Sequence, residues 1–224
     1  MKDNLDCLLI FPPFIFPDGF YTKQRALDPP LMLMALGAYV REAGYSVKIL
    51  DCNAQFEVTD QEFEDYFLKN YVDKYSQIRV IGFSATTPSV NASYRTAAAC
   101  KKYYPESIII FGGAHPSFIP DEALDKEYVD LVCMGEGEET LCEVLDGVPY
   151  GDIKGLAYKA ETENGIEFLR NSPRQRLKDL DSLPLPAYDL IDMNIYRPII
   201  GNFKRPGLNQ HSARLFCIEL ATCT

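Results

Sequence analysis

Five short apolar runs, each followed by a stretch with helical spacing, recur over the first two thirds of this 224-residue chain. They fall at residues 7–11 (CLLIF), 47–50, 79–83, 108–111 and 130–134. Runs this short, without a polar face, mark strands buried on both sides. Between them lie helical patterns. One is expected over 28–44, with Asp28 as its cap, Pro29 and Pro30 in the first turn and Gly44 closing it. Another follows a Thr59–Glu62 capping box and shows Phe63, Tyr66, Phe67 and Tyr71 at helical spacing. Further helices are expected at about 88–104, 121–125 and 138–145, the last stopped by Gly147. Repeated strand-then-helix order at this spacing requires a parallel sheet with right-handed crossovers and helices on both faces. The expected fold is therefore α/β, a doubly wound, flavodoxin-like, five-stranded sheet over residues 1–148 with strand order 2-1-3-4-5. The loops after strands one, three, four and five then share one edge, which is where such sheets bind ligands.

The pattern changes after residue 148. Residues 156–159 and 166–169 flank Asn164-Gly165, a strong hairpin turn, so a small β appendage is expected. LKDLDSLPLPAYDLID follows, and its Pro184 and Pro186 hold it extended as an inter-domain strap, completing a 149–200 segment. Within 201–224 one more apolar run, ARLFCIELA, reads as a strand with no sheet of its own, the start of a further, truncated domain.

Composition narrows the function. Hydrophobic residues at 47% and charged ones at 24% require a packed fold. A net charge of −10 without a basic cluster argues against nucleic acid as a partner. The longest apolar run, residues 31–40, is half a membrane span, and the start MKDNLD is unlike a signal peptide, so a cytoplasmic protein without membrane partners is expected. Seven scattered cysteines suggest free thiols.

The expected strand-end loops are Ser84-Ala85-Thr86-Thr87, Gly112-Gly113-Ala114-His115 and Gly135-Glu136-Gly137-Glu138. Glycines there let a ligand approach the backbone, and hydroxyls can bond a polar ligand edge; equally, the glycines can simply turn the chain. A phosphate loop is disfavoured by the absence of G-x-x-x-x-G-K-[ST] and by Pro12-Pro13 after strand one. His115, before Pro116, reads as structural, His211 as exposed, and neither has zinc-ligand spacing.

In the order FPPF, PPLMLMALGAYVREAGYSVKILD, IGFSATTPS, FGGAHPSFIPDEAL, VCMGEGEETL and DLDSLPLPAYDLID, the chain resembles the N-terminal half of cobalamin-binding radical S-adenosylmethionine proteins. The resemblance runs from about Leu8 to Tyr196, and the spacing of GGAHPS, GEGE and LPLPAYD is far more specific than any one of them. It implies a cobalamin-binding flavodoxin-like domain joined by the strap to a barrel holding a 4Fe-4S cluster and S-adenosylmethionine, for radical methylation or related C–H chemistry on an unidentified small-molecule or peptide substrate. By the same resemblance, Ser84, Thr86, Gly112 and Gly113 meet the buried nucleotide tail, and Gly135, Glu136 and Gly137 form the loop after strand five. The departure is after strand two, where DCNAQF stands against the D-x-H-x-x-G of other cobalamin modules, with Asn53 in the histidine slot and Phe56 in the glycine slot. Two readings stand: cobalamin held without a histidine ligand, or a fold kept after the cofactor was lost. Cys52 reads as a lower thiolate ligand or as a buried inert thiol.

The resemblance also implies that Cys223, in CIELATCT, is the first ligand of a C-x-x-x-C-x-x-C cluster motif whose other cysteines lie beyond Thr224. One cysteine cannot hold such a cluster, so the 4Fe-4S cluster and S-adenosylmethionine are expected only in a longer parent protein. The competing function is a stand-alone cobalamin or small-molecule binding module without catalysis.

Overall fold

A computed structural model describes residues 2–13, 28–55, 60–163 and 165–196, and every structural statement below concerns those residues. The strand-helix alternation is present: β1 (Asp3–Phe11), α1 (Leu31–Glu42), β2 (Val47–Asp51), a short α2 (Cys52–Gln55), α3 (Asp60–Phe67) and β3 (Tyr75–Ser84). It continues through α4 (Val90–Tyr103), β4 (Ile108–Gly112), α5 (Ala114–Phe118), α6 (Pro120–Leu124), β5 (Leu131–Cys133) and α7 (Glu138–Asp146). A hairpin of β6 (Leu156–Thr162) and β7 (Gly165–Arg170) follows.

The strand order is β2-β1-β3-β4-β5-β6-β7. The first five strands are parallel in the expected 2-1-3-4-5 order. The hairpin is not a separate appendage. β6 pairs antiparallel with β5, Leu131 opposite Tyr158 and Cys133 opposite Leu156, and the sheet grows to seven strands. The three-residue β5 would otherwise leave unpaired backbone at the edge of a buried sheet, and β6 covers it with fully buried Leu156 and Ala157.

Alternate residues of the central strands feed two cores. Leu8, Ile10, Ile81 and Phe111 meet Phe63, Phe67, Tyr94 and Cys100 from α3 and α4. Cys7, Leu9, Val80 and Ile110 meet Leu33, Met34, Leu141 and Val144 from α1 and α7. Period-two side-chain direction, applied to strands that are apolar on both faces, is what demands a helical layer on each side.

The helix starts differ from expectation. Asp28 does not cap α1: the helix begins at Leu31 with Pro30 at its N-cap and no side-chain cap, and Asp28 is exposed. A residue preceding proline is kept out of the α conformation, so Pro29 cannot be helical and the start moves past Pro30. Thr59 lies outside the described residues, so the capping box has no structural account. α5 is an added turn of helix where only a loop was expected, since Pro116 in a first turn costs no hydrogen bond. β1 and β3 begin earlier than their apolar runs because polar residues extend the pairing, Asn4 opposite Gln77 and Ser76 Oγ bonding Asn4 Oδ1 at 2.7 Å.

Residues 171–196 fold back over α1 and α7. Arg174, with 9% of its side chain exposed, sits between Glu139 and Glu143. Ala187 N–H donates to Met34 O at 3.0 Å, and Arg41 pairs with Asp189 at 2.5 Å. A side chain on Gly37 would stand 3.1 Å from Leu190 Cδ1, so the glycine in α1 lets Leu190 seat against the helix.

Candidate functional site

Parallel register brings the strand ends into line: Phe11 stands opposite Asp51, Phe83 opposite Ile10, and Ser84 opposite Gly112. The sheet reverses its winding direction between β1 and β3, and the crevice outside that reversal is where a doubly wound sheet has room for a ligand. Of the expected site residues, Asn53, Ser84, Thr86, Gly112, Gly113, Gly135, Glu136 and Gly137 fall in or next to the strand-end loops on this edge.

After β2, Asp51 is 3% exposed, with one carboxylate oxygen accepting from the Asn53 backbone N–H at 2.9 Å and the other from the Tyr196 hydroxyl at 3.0 Å. Burial pushes the Asp51 carboxyl above its ordinary value, and these donors oppose the rise. The same burial, with Asp51 alongside, pushes the Tyr196 phenol up. Asn53 turns its amide into the neighbouring loop, donating to Pro12 O at 2.9 Å. Cys52 is fully buried in the core beside α3 and α4, and burial drives its thiol far above the ordinary range. It has the surroundings of an inert thiol rather than a ligand.

After β3, Ser84 is 8% exposed and its hydroxyl has no partner among the described residues. Thr86 is otherwise engaged: its N–H donates to Ser89 Oγ at 3.0 Å, and its hydroxyl lies 3.2 Å from the same oxygen, closing the turn into α4. Thr87 holds His115 Nδ1 at 3.2 Å, and His115 Nε2 is 3.4 Å from Glu122 without hydrogen-bond geometry. His115 is thus a buried brace between the loops after β3 and β4, as a structural histidine would be.

The paired glycines differ from one another. Gly113 has φ +98° and ψ −178°, and a Cβ there would stand 2.7 Å from Ala85 O. Its lack of a side chain lets the two loops touch, with Ala85 N–H bonded to Gly112 O at 2.8 Å and His115 N–H to Ala85 O at 3.3 Å. A branched side chain at Gly113 would therefore collide with backbone, not only with a ligand. Gly112 is the tolerant one, its would-be Cβ in ordinary contact with Cys133 Cβ at 3.9 Å and Cys133 O at 4.0 Å.

After β5, Gly135 has φ +92°, nothing within 4 Å of a Cβ, and its N–H on Ser117 Oγ at 3.2 Å. Gly137 packs against Cys133 and Leu36. Glu136 points its carboxylate at the strap, accepting from Leu177 N–H at 2.8 Å. Glu138, at the start of α7, has one buried carboxylate oxygen without a partner among the described residues, and burial pushes its carboxyl up. Among the described residues, no His, Cys, Asp and Glu cluster could hold a metal ion and no helix is long and apolar enough to cross a membrane. Cys223 lies outside the described residues.

The family model of the B12 binding domain matches residues 26–145. This chain belongs to the B12-binding domain family. The matched stretch takes in the strand-end loops after β2 to β5. Among relatives, an uncharacterized methyltransferase from Pyrococcus horikoshii is 32% identical over 85% of this chain and 39% of its own length. An anaerobic magnesium-protoporphyrin IX monomethyl ester cyclase from Synechocystis is 28% identical over 84% of this chain and 36% of its own. The chain therefore spans less than two fifths of these relatives. In fold, it is similar to OxsB, a cobalamin-dependent S-adenosylmethionine radical enzyme solved with aqua-cobalamin and S-adenosylmethionine, with TM-score 0.64 and 20% identity, covering 85% of this chain and 25% of that one. It is also similar to TsrM from Kitasatospora setae, a radical S-adenosylmethionine methyltransferase, with TM-score 0.55 and 20% identity over 75% of this chain and 30% of that one.

The residues present fit cobalamin, the cofactor of this domain family. The edge offers open space at Gly135, room for the backbone at Gly112 without a steric clash, and the hydroxyl of Ser84, a residue 8% exposed. Of the two readings left by Asn53, retention of the cofactor is the one the family match supports. Sequence reasoning missed Asp51 and Tyr196. Asp51 stood in the D-x-N motif as its first residue, while nothing marked Tyr196, which lies 145 positions away in sequence.

Proposed function

We propose that this chain is the cobalamin-binding N-terminal portion of a radical S-adenosylmethionine enzyme that performs radical methylation or related C–H chemistry. The observation behind the binding mode is the loop after β2, where Asn53 stands in the histidine slot with its amide committed to Pro12 O. In this reading Ser84 would hydrogen-bond the cofactor, Gly112 and Gly135 would admit it against the backbone, and Asn53, in the histidine slot, would offer no imidazole to the metal. Bound cobalamin supplies a cobalt centre able to carry an alkyl group or an electron. The chain's own work would be to hold and orient that group for the rest of the protein.

Thr86 and Gly113 support the site from behind, by closing the turn into α4 and by seating one loop on the other. Cys223 is proposed as the first cysteine of a cluster motif completed elsewhere, so this chain should stay colourless after anaerobic iron and sulfide reconstitution. The test of the main reading is a visible titration with hydroxocobalamin. Saturable binding supports it, and no binding at tens of micromolar overturns it.

A further inference from the structure

The loop beneath the proposed cofactor site is held from outside the domain. Both Asp51 carboxylate oxygens are used, one by the Asn53 backbone inside the loop and one by Tyr196 at the end of the strap. Tyr196 is 4% exposed, so this contact is seated in the protein rather than resting on its surface. The strap reaches it by way of α1, through the Ala187 N–H to Met34 O bond and the Arg41–Asp189 pair. At its other end it is tied to a second strand-end loop by the Leu177 N–H bond to Glu136. The two loops flanking the proposed site, after β2 and after β5, are thus both bonded to one continuous segment, which runs through short 3-10 turns at Leu180–Ser182, Tyr188–Leu190 and Met193–Ile195. A buried carboxylate that loses a donor can recover it only by moving toward water or taking up a proton. For Asp51 that movement would release the Asn53 backbone and, with it, the amide bonded to Pro12.

We propose that Tyr196 is a positioning residue for the loop after β2, acting through Asp51, so that the cofactor-binding unit extends to the end of the strap and does not finish at α7. The cofactor part of this inference rests on the cobalamin reading above. The positioning part stands on the hydrogen bonds alone.

The experiment uses the full chain and Tyr196→Phe, which removes the hydroxyl and keeps the ring. Amide hydrogen exchange is followed without cofactor, and hydroxocobalamin affinity is measured by visible titration. Exchange over residues 52–55 should speed up about tenfold in Tyr196→Phe, the scale of one lost hydrogen bond to a charged group, while the Leu9 amide in the central strand keeps its rate. Hydroxocobalamin should bind about tenfold more weakly. An Asp51→Asn, Tyr196→Phe double variant should lose little beyond Asp51→Asn alone. Equal acceleration at Leu9 and at 52–55 would mean general loosening and would overturn the proposal, as would unchanged exchange and affinity. If the wild-type chain binds no hydroxocobalamin while the 52–55 exchange responds as stated, the cobalamin reading fails and the positioning role is supported.

Discussion

Replacing Gly113 with alanine should destabilise the fold far more than the same change at Gly112, one residue earlier. Gly113 sits at φ +98° and ψ −178°, a region that residues with a Cβ enter only under strain of about 1–3 kcal/mol. The new Cβ would also lie 2.7 Å from Ala85 O and 3.0 Å from Ala85 N, both backbone atoms that cannot swing aside as a side chain would. Relieving that contact stretches the Ala85 N–H to Gly112 O and His115 N–H to Ala85 O bonds, each worth about 0.5–1.5 kcal/mol. Losing one of them brings the expected cost to about 2–4 kcal/mol. In a domain of this size that is roughly 4–16 °C in melting temperature. Gly112→Ala meets Cys133 Cβ at 3.9 Å and Cys133 O at 4.0 Å, both ordinary contacts, and should stay within about 1 kcal/mol of wild type. Guanidinium unfolding at unchanged m-value measures both. A Gly113→Ala midpoint equal to that of Gly112→Ala would refute the reasoning, and with it the claim that the loops after β3 and β4 are seated on each other at this glycine.

Three further outcomes are expected. Arg174→Ala strips a nearly buried guanidinium from Glu139 and Glu143 and should cost about 1–3 kcal/mol in urea unfolding, with Arg174→Lys recovering only part because an ammonium cannot span both carboxylates. Burial raises the Asp51 carboxyl in the native state above its unfolded value, so the native state binds this proton more readily; its stabilising contribution is fully present below the unfolded value and is lost as pH rises through the raised one. Wild type should therefore gain stability relative to Asp51→Asn as pH is lowered through that window, and a flat difference would contradict the assignment. Among the five described cysteines, brief iodoacetamide treatment of the native chain at neutral pH followed by mass spectrometry should label Cys142 first, because Cys7, Cys52, Cys100 and Cys133 are buried; even Cys142, its thiol pushed up to about 11, should react slowly.

The first five strands were legible because their centres are apolar on both faces; alternation with right-handed crossovers gave the parallel sheet, and 2-1-3-4-5 is the flavodoxin-like order among those it allows. The place of the hairpin was not. Asn164-Gly165 announces a turn, but whether β6 joins β5 depends on an edge that exists only after the sheet is built. Asp28 misled because a cap residue before two prolines has the composition of a helix start and the wrong backbone restriction. At the site, the glycines and Ser84 could be placed on the edge from the sequence. The distinction between Gly112, with room for a Cβ beside Cys133, and Gly113, tight against Ala85, could not, since both read as the same dipeptide. Nor could the engagement of Glu136 by Leu177 or of Asp51 by Tyr196, where the partners come from a strap whose path over α1 no local pattern specifies.

The most direct test of the central claim is the electron paramagnetic resonance spectrum of the chain loaded with hydroxocobalamin and reduced to cobalt(II). Nitrogen below the metal, whether from the cofactor's own dimethylbenzimidazole or from a protein histidine, splits that signal into superhyperfine lines. With Asn53 bonded to Pro12 in the histidine slot, the bound cofactor should show the cobalt(II) signal without nitrogen superhyperfine splitting. A chain that retains no cobalt signal after removal of free cofactor, or one whose signal carries nitrogen splitting, would contradict the account.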